Sequence, residues 1–136
     1  MIGSIQKTES VPIQSAADVV LVRQRVRAWT EEMKFSLVEK TKIITAASEL
    51  ARNALEHGGG GQLEIAQVSN GVSKGIRLTF SDNGPGIADV NLALTDGYAS
   101  GCGMGLGLGG SKRLMNEFSI ETEIGRGTKV TCIRWK

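Results

Sequence analysis

The chain has 136 residues, a length that suits one domain, and 40% of them are apolar, as in an ordinary globular protein. Sixteen basic and 14 acidic residues give a net charge of +2, which argues against a dedicated nucleic-acid surface. The first residues contain no continuous apolar segment, so we expect neither a signal peptide nor a membrane span. Two cysteines without a CxxC pattern favour a reducing compartment, and we expect a cytoplasmic protein.

The N-terminal part is predicted to hold a short strand and a helix. Residues 1–9 are expected to be irregular, and residues 11–13 to form an edge strand because Pro12 cannot donate to a ladder. Ser15 is the expected N-cap of a helix that continues to about Lys34. Apolar residues spaced 3, 4, 3, 4 form a stripe on this helix, namely Val19, Val22, Val26, Trp29 and Met33. The stripe favours packing on the domain's own sheet, and a homodimer or partner-helix seam is the alternative.

A second helix and a β-hairpin are predicted next. Ser36 and Glu39 have the spacing of a capping box for a helix from Leu37 to about His57. Its buried face is expected at Ile43, Ala47, Leu50 and Ala54. The glycines at 58–61 should end it, and strands at 62–69 and 75–82 should pair through a turn at Asn70-Gly71.

The remaining residues are predicted to form two more helices and two more strands. We expect helices near 89–95 and 106–117, and strands at 118–124 and 128–135. Strands paired mostly as hairpins and interrupted by helices favour an α/β (α+β) two-layer sandwich. In that fold a mixed, mostly antiparallel sheet is covered on one face by about three helices. We expect the whole chain, residues 1–136, to be one domain.

The sequence DNGPG begins at Asp82, where the predicted strand ends. Glycines at 84 and 86 let backbone approach a flat ligand closely, and Gly84-Pro85 must end the strand. The Asp82 carboxylate could accept a hydrogen bond from an exocyclic amine such as that of adenine. By itself the pattern is also that of an ordinary loop.

A second glycine cluster lies at the start of the helix predicted at 106–117. Gly105, Gly107 and Gly110 match GxGxxG, but no βαβ unit surrounds them, and Ser111-Lys112 is in the wrong order for a Walker A loop. Glycines that lead into a helix N-terminus can still bind phosphate through free N–H groups. Met104, Leu106 and Leu108 alternate with the glycines, which favours a segment that folds over a ligand above a plain surface loop.

Glu49 and Asn53 lie four residues apart on one face of the second helix. A carboxylate beside a carboxamide can supply a general base and a ligand for Mg²⁺, although a surface pair has the same pattern. His57, the only histidine, follows on the same flank and is more typical of a helix end than of a catalyst. Thr128 could reach Asp82 directly or through water.

Taken in order, these motifs resemble the GHKL, or Bergerat-fold, ATPase family. Residues 49–54 (ELARNA) resemble its N box and residues 82–86 its first glycine box. Residues 101–107 resemble its second glycine box, within an ATP lid at about 96–108, and Gly127-Thr128 the last motif. Within the family, the runs SELARN, DGYAS, SKRLMNEF and IRWK are similar to small bacterial serine/threonine kinases of the anti-sigma type, above all the stressosome switch kinases.

The resemblance implies roles for individual residues. Asp82 would bind the adenine amine with support from Thr128, and Gly84 and Gly86 would shape that turn. Asn53 would hold Mg²⁺ against the phosphates of ATP, and Glu49 would activate the attacking hydroxyl. The phosphates would be cradled by the lid glycines Gly103, Gly105 and Gly107.

The resemblance also implies partners. The acceptor would be a Ser or Thr of a STAS-domain antagonist, and the alternate partner a sigma factor or a PP2C-type phosphatase. Alternatives are a non-catalytic sequestering module, the ATP-binding domain of a sensor histidine kinase and a dehydrogenase. Two departures are the tract at 57–61 and Asn116, which stands where an acid is expected.

Overall fold

The computed structural model of the protein describes residues 5–87 and 108–136. The helices in these ranges are α1 (Ala16–Glu32), α2 (Leu37–Glu56) and α3 (Leu108–Leu114). The strands are β1 (Ile5–Ile13), β2 (Gly61–Ser69), β3 (Lys74–Asp82), β4 (Glu117–Glu123) and β5 (Gly127–Trp135). They form one sheet in the order β1-β2-β3-β5-β4, and each pair of neighbours is antiparallel. This confirms the predicted α/β sandwich with a mostly antiparallel sheet.

The helices begin and end where local signals predict. Ser15 caps α1 by accepting a hydrogen bond from the Asp18 N–H at 3.4 Å. At the start of α2 the Ser36 N–H donates to Glu39 Oε1 at 3.2 Å, and the Glu39 N–H donates to Ser36 Oγ at 3.1 Å. This reciprocal pair is the predicted capping box. Gly59 and Gly60 then adopt φ values of 76° and 112°, which end α2 because other residues rarely take them.

The apolar stripe of α1 packs inside the domain. Val22 and Val26 are fully buried, Trp29 is 2% exposed, and Met33 packs at the margin of the same core. They share this core with the predicted inner face of α2 and with residues of the sheet. The stripe therefore belongs to the protein's own core, as the intramolecular interpretation predicted.

Two predicted boundaries are wrong. Residues 5–9 are not irregular, because β1 starts at Ile5 and pairs with β2 along its whole length. The helix predicted at 106–117 ends before residue 117. The Asn116 N–H donates to the Ile133 carbonyl at 2.9 Å, and Glu117 already belongs to β4. The start predicted for this helix at 106 and the helix predicted at 89–95 lie outside the described residues.

The order of the strands brings distant parts of the chain together. β5, the last strand, lies between β3 and β4. In the resulting register Asp82 of β3 faces Thr128 of β5, and Thr128 faces Thr122 of β4. The end of β3 therefore meets the start of β5 and the end of β4 at one end of the sheet.

Among residues 5–87 and 108–136 no helix is long and apolar enough to cross a membrane.

A cluster of polar side chains connects the edge strand β1 to α1. The Glu9 carboxylate accepts hydrogen bonds from Arg25 Nε at 2.6 Å and from Trp29 Nε1 at 2.8 Å. Lys7 lies 4.8 Å from the centre of the Trp29 ring and pairs with Glu32 at 3.1 Å. The hydrogen bond from Arg25, above all, lowers the pKa of Glu9, although partial burial opposes that shift.

We expect Glu9 to stabilise the fold above the ordinary glutamate pKa and to lose that effect in acid. Because its folded-state pKa is lowered, stability is lost as the pH falls below about 4.3 and through the folded value. Glu9→Gln should reduce the free energy of unfolding at pH 7 by about 1 kcal/mol, a figure discounted for the partly exposed site. Urea titrations of both proteins at pH 7 and pH 3 measure the difference, which should shrink at the lower pH.

Glu32→Gln is the matched control, because Glu32 pairs with Lys7 and its side chain is 67% exposed. It should change the free energy of unfolding by less than about 0.5 kcal/mol at either pH. Equal effects of the two substitutions would contradict a special role for Glu9.

Candidate nucleotide-binding site

A pocket lies between α2 and the end of the sheet where β3 and β5 meet. Its polar wall contains Asn53, His57, Asp82 and Thr128, and its apolar wall includes Leu50 and Phe80. The structure thus brings together three residues that the sequence predicted as ligands: Asn53, Asp82 and Thr128. The space between these walls is about 30 Å³. Asp82 and Thr128 also line an adjacent open space of about 360 Å³, together with residues of the β4–β5 hairpin.

Asp82 is held in position by the turn that follows it. Its Oδ1 accepts a hydrogen bond from the Gly84 N–H at 2.9 Å, which fixes the carboxylate relative to the backbone. The end of α2 packs against this turn, because a Cβ on Gly84 would lie 2.6 Å from the Cα of Gly58. A Cβ on Gly58 would in turn overlap the Asp82 carboxyl group. Gly58 therefore belongs to the site, although the sequence indicated only that it ends a helix.

The rest of the turn is fastened to the β4–β5 hairpin. The Gly125 N–H donates to the Pro85 carbonyl at 2.9 Å, and the Ile87 N–H donates to Thr122 Oγ1 at 2.9 Å. Gly86 has a φ of 82°, and a Cβ there would lie 2.6 Å from the Glu123 carbonyl oxygen. The glycine at 86 is required by this conformation and by the close approach of the two backbones.

Thr128 also makes a contact that the sequence did not predict. It is 8% exposed and faces Asp82 in the register, but its hydroxyl lies 2.9 Å from Thr122 Oγ1 on the other neighbouring strand. Sequence reasoning missed Thr122. The signal was the Gly125-Arg126-Gly127 turn, because a hairpin closed there makes residues 122 and 128 cross-strand neighbours.

Glu49 and Asn53 face two different spaces along α2. Asn53 lines the pocket, whereas Glu49 lines a groove of about 440 Å³ between α1 and α2 that also contains Arg23 and Arg27. Glu49 Oε1 accepts a hydrogen bond from Arg52 at 2.5 Å, and the Glu49 side chain is 38% exposed. The carboxylate is therefore accessible from the groove, one helical turn from the pocket.

The structure also places His57 and three other basic residues. The His57 N–H caps α2 by donating to the Asn53 carbonyl at 2.9 Å. Arg126 pairs with Glu123 at 3.4 Å on the exposed hairpin, and Lys112 and Arg113 lie in the last turn of α3. The lid residues Gly103, Gly105 and Gly107, with Cys102, lie outside the described residues.

Two further residues have structural positions. The side chain of Asn116, where an acid was expected, accepts a hydrogen bond from the Trp135 N–H at 2.6 Å and so fixes the end of β5. Burial raises the pKa of the Cys132 thiol to about 12, so this core cysteine stays protonated at neutral pH.

Gly127 is the most sterically restricted glycine at the site. Its φ is 109°, and a Cβ there would overlap the carbonyl oxygen of Asp82. We expect Gly127→Ala to lower the free energy of unfolding by about 3 kcal/mol, through backbone strain plus displacement of β3. Thermal or urea denaturation measures this change, and nucleotide affinity should fall with it.

Gly71→Ala is the matched control, because it introduces backbone strain without steric overlap. Gly71, in the β2–β3 turn, has a similar φ of 88°, but a Cβ there would meet no atom within 4 Å. The substitution should lower the free energy of unfolding by only about 1 kcal/mol. If the two variants lose the same stability, the close contact with Asp82 does not restrict Gly127.

Comparison with known proteins identifies the family of the chain. The family model for histidine kinase-, DNA gyrase B-, and HSP90-like ATPases matches residues 39–136. The serine/threonine-protein kinase RsbT of Bacillus subtilis is 42% identical over 125 residues, which cover 92% of this chain and 94% of that protein. The anti-sigma F factor of Clostridium novyi is 29% identical over 113 residues, covering 79% of each chain.

Two solved structures share the fold. The RsbU and RsbW domains of Rv1364c from Mycobacterium tuberculosis match with a TM-score of 0.65 and 20% identity, over 96% of this chain and 33% of that one. The SiaB–SiaC complex from Pseudomonas aeruginosa matches with a TM-score of 0.53 and 15% identity, over 97% and 91%. The family match and the RsbT relationship together show that the chain belongs to the histidine kinase-, DNA gyrase B- and HSP90-like (GHKL) ATPases.

Proposed function

We propose that the protein is an ATP- and Mg²⁺-dependent serine/threonine kinase that phosphorylates a STAS-domain antagonist. It would act in the cytoplasm as a regulator that switches partners in sigma-factor or phosphatase signalling. The observation that carries this proposal is the arrangement along α2. Asn53 faces the pocket with Asp82 and Thr128, and Glu49, one turn away, faces an open groove.

This arrangement suits phosphoryl transfer from a bound nucleotide to a bound protein segment. A nucleotide in the pocket and a protein segment in the groove would meet near one turn of α2. The groove, at about 440 Å³, is open to solvent and large enough for an extended segment that carries a hydroxyl group. Kinases act mainly by holding the two reactants in line and neutralising charge, which a two-sided arrangement allows.

The pocket residues would recognise ATP. Asp82, oriented by the Gly84 N–H at 2.9 Å, offers acceptors to the amino group of adenine, and Thr128 supports it from the neighbouring strand. The phosphates would be bound by Gly103, Gly105 and Gly107 through their N–H groups, as predicted from the sequence.

Asn53 is the residue proposed to hold Mg²⁺. In the described part of the chain no three His, Cys, Asp or Glu side chains cluster to hold a metal. A single carboxamide oxygen beside a phosphate site fits Mg²⁺, which keeps most of its waters and takes few protein ligands. When bound, the ion would neutralise charge on the phosphates.

Glu49 would be the general base. Its carboxylate takes the proton of the acceptor hydroxyl as that oxygen forms a bond to the γ-phosphorus of ATP. The bond from that phosphorus to the bridging β,γ-oxygen breaks, and ADP leaves with the electron pair. Arg52, which donates to Glu49 at 2.5 Å, would keep the carboxylate directed along the groove until the acceptor arrives.

The relatives support the choice of partner. The name of RsbT states a serine/threonine kinase, and the name of the Clostridium relative states an anti-sigma factor. We therefore propose a sigma factor or a PP2C-type phosphatase as the alternate partner of this chain. The second candidate function is a nucleotide-dependent module that sequesters such a partner without catalysis.

Glu49→Gln should abolish transfer and leave nucleotide binding intact. Loss of the base should lower the rate of phosphoryl transfer by roughly 10²- to 10⁴-fold, with the affinity for ATP changed by less than about twofold. The assay uses labelled ATP, Mg²⁺ and a purified STAS-domain protein, and it measures acid-stable label on that protein. Calorimetry measures ATP affinity separately.

Glu64→Gln is the matched control. Glu64 is 43% exposed and pairs with Arg77 at 3.2 Å, so it loses a similar ion pair away from the pocket and the groove. It should keep full activity. Normal transfer by Glu49→Gln would remove Glu49 from the mechanism. Tight ATP binding without label on any STAS-domain protein would favour the sequestering module, and absence of ATP binding would refute the proposed function.

A further inference from the structure

Thr122 lies at the centre of a group of hydrogen bonds beside the pocket. Its Oγ1 is 2.9 Å from the Ile87 nitrogen, 3.2 Å from the Gly127 carbonyl oxygen and 2.9 Å from Thr128 Oγ1. These contacts join the turn after β3 to both strands of the β4–β5 hairpin. Thr122 itself is half-buried on β4 and does not line the 30 Å³ pocket, but with Asp82 and Thr128 it lines the adjacent open space of about 360 Å³.

All three contacts are hydrogen bonds in only one assignment of donors and acceptors. A threonine hydroxyl has one proton to donate and two lone pairs that accept. The Ile87 N–H can only donate and the Gly127 carbonyl can only accept, so Thr122 uses one lone pair and its proton on them. Its remaining lone pair faces Thr128. The contact between the two hydroxyl groups fits either direction by distance alone, and the assignment that satisfies all three contacts makes Thr128 the donor.

This direction decides what Thr128 presents to a ligand. Its proton is directed to Thr122, so only lone pairs remain for a group in the pocket. Asp82, the cross-strand neighbour of Thr128, also offers acceptors through its carboxylate. The wall formed by these two side chains therefore favours a ligand edge that carries N–H donors, and it repels a carbonyl oxygen at the same position.

We propose that Thr122 is a positioning residue that makes the pocket select a 6-aminopurine over a 6-oxopurine. It acts through Thr128, whose hydroxyl it orients, and through Ile87, whose N–H it holds. This inference rests on the proposed ATP binding and names the residue that sets the specificity of the same site. Three residues form a row across neighbouring strands: Asp82 on β3, Thr128 on β5 and Thr122 on β4. The Thr122 hydroxyl therefore controls the hydrogen-bonding polarity of the wall formed by Asp82 and Thr128.

The test compares binding of ATP and inosine triphosphate, which differ by an amino or an oxo group at C6 of the purine. Dissociation constants are measured by calorimetry with Mg²⁺ for the wild type, Thr122→Val and Thr122→Ser. The valine variant frees the Thr128 proton to rotate toward the pocket. We expect the preference for ATP to fall by roughly fivefold to tenfold, the worth of about one hydrogen bond. The serine variant keeps the hydroxyl and should restore the preference.

Thr131→Val is the matched control, since Thr131 is half-buried on β5 and belongs to the alternate residues that face away from the pocket. It should leave the ratio of the two constants unchanged. In a Thr128→Val background the substitution Thr122→Val should have no further effect on the ratio, because Thr122 acts through Thr128. If Thr122→Val does not fold in a thermal melt, Thr122→Ala takes its place and is compared with Thr122→Ser.

The outcomes separate the two proposals. An unchanged ratio in Thr122→Val, or a serine variant that behaves like valine, overturns the role of Thr122 while the wild type still prefers ATP. A wild type that binds ATP and inosine triphosphate equally also overturns it. A wild type that binds neither nucleotide refutes the proposed function instead.

Discussion

The part of the fold with the least freedom is the meeting of three backbone segments around Asp82. The turn after α2, the DNGPG turn and the start of β5 approach so closely that side chains at Gly58, Gly84 and Gly127 would overlap a neighbour. Packing of this kind leaves little room for the backbone to shift at any of these three glycines. The carboxylate is thereby placed by main chain atoms, which tolerate less variation in position than mobile side chains.

Helix α2 complements this rigid end of the sheet with side chains of another kind. Asn53 and Glu49 project from a regular element that is capped at its start and buried along its inner face. The spacing of one turn assigns them to different spaces, so binding of a small ligand and access for a macromolecule are kept apart. The positions of Asn53 and Glu49 are therefore set by a regular helix and not by the loops around the pocket.

Much of the fold and part of the site could be predicted because their signals are local. Ser36 with Glu39, the spacing of the α1 stripe and the DNGPG motif each lie within a few turns or residues. The start of β1 could not be predicted, since Glu9 is held by Arg25 and Trp29, 16 and 20 positions further along the chain. Thr122 was missed for a similar reason, because its importance depends on strand register and on Ile87, 35 positions away.

The position of β5 has a consequence for how the protein is made. Ribosomes deliver β1, both long helices, β2 and β3 first, and these can already pair as a three-stranded sheet. In the part of the chain that the structure describes, β4 pairs only with β5, so it must wait for β5 to be released. The nascent chain therefore exposes the edge of β3 until β5 pairs with it. The wall of the pocket that contains Thr128 forms only when β5 has been released, so a chain that stops before β5 lacks it.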